Sequence, residues 1–256
     1  LLCVFIYGCA SPKPFFEKIE SSNNELLKTV LDAPEEYELQ IIYSEIIREK
    51  DGGVKFIDHT YHLNDSVYFY PASTVKLPVA ILALEKLNKL REKEGLSISR
   101  ETKYKVQGDT LYHSIKNDIE AIFAVSDNEA FNRLFEFLGP DEINSKLRSK
   151  GLSPVRISHR LSTEKAFNLD TKPLIFYTDT SQEDRGITVQ VSHNAEIKNL
   201  ELKEITKGVG YYQNDTVVNS PFDFSLKNYF PLSVQHQLMK QLFFPKSFDE
   251  SSRFDM

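Results

Sequence analysis

Cysteine is nearly missing from this chain of 256 residues: there are two, Cys3 and Cys9, both near its start. Past Cys9 no thiol pair remains to make a disulfide, so the fold has to rest on an apolar core. No run of 18 apolar residues occurs, which excludes a membrane-crossing helix in the mature chain. Excess positive charge is missing as well. The formal charge of -6 and a pI of about 5.6 leave no basic patch for a nucleic-acid backbone. The six histidines are scattered; the closest pair, His59 and His62, sits in an alternating strand-like run with no third ligand nearby, so neither metal nor cofactor is expected. Internal repeats and low-complexity linkers are absent too.

What is present is enough for a globular domain: 41% hydrophobic and 27% charged residues. Residues 1–8 are almost wholly apolar and read as a clipped export signal. Ile6-Tyr7-Gly8-Cys9 resembles a bacterial lipoprotein processing site with Cys9 as the lipidated residue, although the tyrosine departs from the usual small residues. The other reading is an inert thiol in a truncated signal. Either one implies an exported bacterial protein, periplasmic or lipid-anchored at the envelope, and a monomer is expected.

Apolar spacing then divides the chain. Residues 1–14 are signal remnant and spacer. In residues 15–70, a helix interrupted near residues 21–24 closes before Pro34, and a hairpin follows, with strands in 37–48 and 54–63 about the Asp51-Gly52-Gly53 turn. Residues 71–174 are helical. Val75, Val79, Leu82, Leu87 and Leu90 mark a buried helix of about five turns ending by Gly95, its first turn bent or tightened by Pro78. Further helices are expected at 111–125, 128–138 and 141–150. Residues 175–230 lose this period and read as a partly β insertion, with Ile187, Val189 and Val191 alternating; residues 231–256 return to helix.

Two short motifs carry chemistry. Ser73-Thr74-Val75-Lys76 fits S-x-x-K, which puts a hydroxyl and an amine one helical turn apart, within reach of a proton transfer. Serine becomes a good nucleophile only when a neighbour takes its proton, and lysine does so only when burial or positive charge lowers its pKa. Backbone N–H groups at the helix start can hold a developing oxyanion. The tetrapeptide alone is weak, since it recurs by chance about once in such a chain, and Ser162-Thr163-Glu164-Lys165 fits it too. Ser73 is followed by a long apolar helix, whereas Ser162 is not. A plain N-cap serine with a solvated Lys76 is the alternative. Ser126-Asp127-Asn128 fits S-D-N, and Ser126 with Glu129 also reads as a capping box for the helix at 128–138.

In that order the two motifs resemble those of class A serine β-lactamases and related penicillin-interacting serine hydrolases. The resemblance is good over residues 37–150. It implies an α/β (α+β) fold, an antiparallel sheet flanked by helices plus an all-helical subdomain, here with an incomplete sheet. It also implies that Ser73 is acylated, that Lys76 acts as base or assisting cation, and that Ser126 relays a proton to the leaving nitrogen. Asn128 would bind the substrate amide, and Asp127 would hold the loop. Glu164-Lys165-Ala166-Phe167-Asn168 resembles the family's E-x-x-L-N loop with Phe for Leu, making Glu164 the activator of the deacylating water and Asn168 its orienter; a solvated surface glutamate is the other reading.

No K-T-G or K-S-G occurs; Lys207-Gly208 lacks the hydroxyl residue. The expected function is opening of a β-lactam through an acyl-enzyme. Its rivals are a D,D-peptidase or esterase using the same residues on cell-wall or small ester substrates, and a non-catalytic surface lipoprotein that keeps the fold.

Overall fold

A glycine turn makes the first sheet. The computed structural model describes residues 15–50, 52–181, 185–190, 198–213 and 215–255; Cys9 and Val191 lie outside them. Strands β1, Ile41–Arg48, and β2, Val54–Tyr61, pair antiparallel from Ile41 opposite Tyr61 to Arg48 opposite Val54. Gly52 has φ 86 and donates to Glu49 O, while the Glu49 N–H donates to Gly53 O. A residue with a Cβ would strain at that φ. Two side-chain pairs pin the register: the Ser44 hydroxyl donates to Asp58 Oδ1 at 2.5 Å, and His59 Nε2 lies 2.8 Å from Glu45 Oε1. Ahead of the hairpin, helices α1, Phe15–Glu20, and α2, Glu25–Leu31, are separated where expected, because Asn24 caps α2 by accepting from the Leu27 N–H. These elements form one unit, Leu1–Asn64; a second unit, Asp65–Met256, contains all that follows.

A 3-10 turn, Ala72–Val75, opens the second unit's central helix α3, Lys76–Glu92. The tightening thus falls just before Pro78. Proline at the third position of α3 removes only an N–H that the first turn leaves unpaired in any case. Val79, Ala80, Ile81, Leu82 and Ala83 are all buried, so α3 is covered on every side. Around it pack α4, Ile115–Val125; α5, Asn128–Leu138; and α6, Pro140–Ser149. α4 starts later than its apolar pattern predicts, because Ser114 caps it through the Asn117 N–H. On α5, Phe131, Leu134, Phe135 and Leu138 face the core; complete burial of each contributes roughly 1.5–3 kcal/mol. A buried ion pair ties α4 to α5: Arg133 donates to Asp118 Oδ1 through Nε at 3.0 Å and a terminal nitrogen at 2.6 Å, and Tyr104 donates to the other oxygen.

Besides the two-stranded sheet expected from the sequence, the second unit has separate small sheets, of which only the strand at the alternating Ile187 and Val189 lay in a run that periodicity marked. β3, Lys103–Val106, has four residues and buries only Tyr104 and Val106, too little alternation to register. It pairs with β4, Leu174–Tyr177, which pairs with β5, Ile187–Val189, all antiparallel. Residues 206–223 hold two smaller ladders: β6, Thr206–Lys207, with β9, Phe222–Asp223, and β7, Tyr211–Gln213, with β8, Thr216–Val218. Strands of two to four residues explain the lack of a readable pattern there. Helix α7, Leu232–Phe243, fulfils the late helical expectation. The whole is a mixed α/β fold of helices and small antiparallel sheets.

Candidate active site

Lys76 begins the site. Its side chain is 2% exposed, at the first position of α3, and its ammonium donates to three neutral oxygens: Ser126 O, Ser126 Oγ at 2.9 Å and Asn128 Oδ1 at 2.7 Å. Burial pushes its pKa below the ordinary lysine value, and the charge of Asp127 opposes that shift in part. Ser73, one turn earlier and exposed, accepts a hydrogen bond from Ser126 Oγ at 2.9 Å. A continuous chain therefore runs from amine to hydroxyl to hydroxyl.

Backbone geometry holds that chain in place. Ser126 closes α4 in the left-handed region, φ 54 and ψ 44, with its N–H bonded back to Ile122 O. A helix N-cap needs extended backbone, so Ser126 is not the cap of α5 that the capping-box pattern predicts. Asp127 is: at φ -62 and ψ 128 it accepts from the Ala130 N–H at 2.7 Å. Ala72, at φ 44, and Ser162, at φ 50, take the same uncommon conformation beside the site. Left-handed residues with a Cβ cost of order 1–3 kcal/mol each and gather where function over-determines the backbone.

One face of α5 holds the 160–172 loop. Asn128, Asn132 and Glu136 recur every four residues, and each meets the loop. Asn128 Nδ2 donates to Ser162 Oγ at 2.8 Å. Buried Asn132 exchanges two hydrogen bonds with the Leu161 backbone: its Nδ2 donates to Leu161 O at 2.9 Å, and its Oδ1 accepts from the Leu161 N–H at 2.8 Å. Glu136 receives Arg160 Nε at 2.6 Å and the Lys172 N–H at 2.7 Å. Arg160 also donates to the carbonyls of Asn168 and Asp170. The loop is thus fastened at several points.

Among the described residues, two cavities open on Ser73. The larger, about 340 Å³, is lined by Tyr70, Asn128, His159, Ser162 and Lys227 among others. His159 is nearly buried and its pKa falls to about 4, chiefly by desolvation, so it is neutral; Nδ1 lies 2.6 Å from Arg160 O, and Nε2 has no hydrogen-bond partner among the described residues. Lys227 is carried to this wall by the bridge between Arg156 and Tyr229 and by Asn228, whose Oδ1 accepts from the N–H groups of Ser158 and His159. Its ammonium lies 5.0 Å over the Phe167 ring and 5.2 Å over Phe222, and burial lowers its pKa. The smaller cavity, about 220 Å³, contains Ser126 and Lys76 and is otherwise mostly apolar.

Of the residues expected from the sequence, Ser73, Lys76, Ser126 and Asn128 come together. Glu164 and Asn168 do not join them: both are exposed, neither lines a Ser73 cavity, and the Asn168 carboxamide accepts from the Asp170 N–H. Ser162, Asn132, His159 and Lys227 were not expected. Asn132 alone left a sequence signal, four residues past Asn128 on one helix face; the others depend on folding.

A family model described as the Beta-lactamase enzyme family matches residues 47–194. No curated protein matches. Among solved structures, the chain is similar to the beta-lactamase from Sphaerobacter thermophilus DSM 20745, at 20% identity and a TM-score of 0.35, over 56% of this chain and 55% of that one. The chain therefore spans about half the length of that structure. Since the family model covers more than half of the sequence, both motifs included, the chain belongs to the beta-lactamase enzyme family.

Proposed function

We propose that the protein is a serine hydrolase that opens β-lactams by way of an acyl-enzyme on Ser73. The observation that carries this reading is the chain from Lys76 through Ser126 to Ser73. With Lys76 charged, both hydrogen bonds point toward Ser73. With Lys76 neutral, as burial favours, they reverse: Ser73 donates to Ser126 and Ser126 donates to the amine, so the serine proton leaves as Oγ attacks the carbonyl. The Ser73 N–H, ahead of the first intrahelical donor of the 3-10 turn, is available to the oxyanion. As the intermediate collapses, Ser126 protonates the leaving nitrogen and takes a proton back from Lys76. Asn128, positioned by Lys76 and Ser162, holds the acyl amide.

Water then releases the acyl group. The expectation that Glu164 activates this water and Asn168 orients it requires the 160–172 loop to turn both toward Ser73 in the substrate complex. Their outward positions favour a second reading, a D,D-peptidase or esterase in which deacylation is slow. Purified protein should hydrolyse a chromogenic cephalosporin and lose that activity in Ser73→Ala; equal rates in both would remove the reading. Long-lived penicillin adducts without turnover would select the second one. Export and lipidation at Cys9 belong to the same proposal; incorporation of a palmitate analogue that persists in Cys9→Ser would contradict it.

A further inference from the structure

The acyl-transfer steps leave His159 unused, although it lines the cavity that Ser73, Asn128 and Ser162 share. Its backbone is held on one side: the N–H groups of Ser158 and His159 donate to Asn228 Oδ1 at 2.9 and 3.2 Å. Its ring is held on the other. Nδ1 lies 2.6 Å from Arg160 O, and a carbonyl oxygen only accepts, so Nδ1 carries the hydrogen. Desolvation keeps the ring neutral, and in a neutral imidazole the second nitrogen then bears the lone pair. Nε2 is therefore an acceptor in a fixed tautomer. The side chain is 3% exposed, and Nε2 has no hydrogen-bond partner among the described residues. An orphaned buried acceptor is unfavourable, and one beside a nucleophile calls for a role in the chemistry. Glu164, the carboxylate expected to activate the deacylating water, is exposed and lines neither Ser73 cavity.

We propose that His159 is the general base of deacylation, its Nε2 taking the proton of the water that attacks the acyl carbon. This role rests on the acyl-transfer reading. As the water oxygen bonds to the acyl carbon, one of its protons passes to Nε2. The bond from that carbon to Ser73 Oγ then breaks, and Oγ takes the proton from the imidazolium, so the ring is neutral again and the acid product leaves. The Arg160 carbonyl orients the base and, through the hydrogen bond from Nδ1, favours the imidazolium while it lasts. Since the ring already lines the cavity, the water reaches Nε2 from the side of Ser73, without the turn of the 160–172 loop that Glu164 requires.

Intact-mass spectra of acid-quenched mixtures with benzylpenicillin give the rate constants for formation and decay of the acyl-enzyme separately. His159→Gln removes the base and keeps a side chain that can donate to Arg160 O. Its acyl-enzyme should decay about 10²–10⁴-fold more slowly than that of wild type, a loss far larger than any in its formation. His159→Gly, checked for a wild-type circular dichroism spectrum, should lose the same step and regain it when imidazole is added. Equal decay in wild type and His159→Gln, an equal fall in formation and decay, or slow decay confined to Glu164→Gln would overturn the assignment. Slow decay in His159→Gly that imidazole leaves unchanged would mark a structural role and overturn it too. A wild-type protein that forms no adduct and consumes no benzylpenicillin would instead sink the acyl-transfer reading, and the base with it.

Discussion

Removing the Asn132 side chain is the perturbation whose effect follows most directly from the structure. Asn132 is 6% exposed and exchanges two hydrogen bonds, of 2.9 and 2.8 Å, with the backbone of Leu161. Asn132→Ala orphans one N–H and one C=O. An orphaned buried group costs about 1–3 kcal/mol. Leu161 is only partly buried, so water can reach it and the lower end applies, about 2 kcal/mol for the pair. For a unit of this size that lowers Tm by about 4–8 °C. Function should suffer too, because Ser162, next in the chain, is the partner of Asn128; a loosened loop should reduce kcat/KM for a chromogenic cephalosporin about tenfold, equivalent to about 1.4 kcal/mol. Calorimetry and initial rates on the same preparations measure both. A Tm within a degree of wild type would refute the clamp. A large fall in Tm with unchanged turnover would show that the clamp is irrelevant to the site.

Three further outcomes are expected. Lys76→Arg cannot shed its proton and should lose acylation by roughly 10²–10⁴, which burst kinetics would measure, whereas retained rates would remove Lys76 as base. The folded-state pKa of His159, about 4, lies below its ordinary 6.5, so its contribution to stability is complete above pH 6.5 and declines as pH falls toward 4. Urea unfolding should lose about 2 kcal/mol more between pH 7 and pH 5 in wild type than in His159→Gln; parallel profiles would contradict the burial of a neutral ring. Arg133→Ala leaves the 1% exposed Asp118 facing Tyr104 alone, and should cost about 3 kcal/mol in the same assay, with a loss below 1 kcal/mol counting against the pair.

The parts of the site that were legible in the sequence are those set by local spacing. Ser73 and Lys76 are one turn apart on a helix whose apolar period is plain, and Ser126, Asp127 and Asn128 are consecutive, so short-range rules suffice to bring each group together. Even there one detail was hidden. Serine and aspartate are equally good caps by composition, and only the left-handed backbone at Ser126 moves the role to Asp127. Ser162 and Lys227 reach the site through tertiary contacts across 34 residues to Asn128 and, by the Arg156 to Tyr229 bridge, from the far end of an unpatterned segment. Nothing local encodes that. β3 and the 206–223 ladders were missed because strands of two to four residues cannot show alternation.

The central claim is that Ser73 forms a covalent acyl bond. Intact-mass spectra of the protein incubated with benzylpenicillin measure it directly, followed by peptide mapping and repeated on Ser73→Ala. The account predicts an adduct of one penicilloyl group, trapped by acid quench within the first turnovers, on the peptide that carries Ser73 and absent from the variant. A wild-type protein that neither carries the adduct nor consumes benzylpenicillin, or an adduct that survives Ser73→Ala, would contradict it.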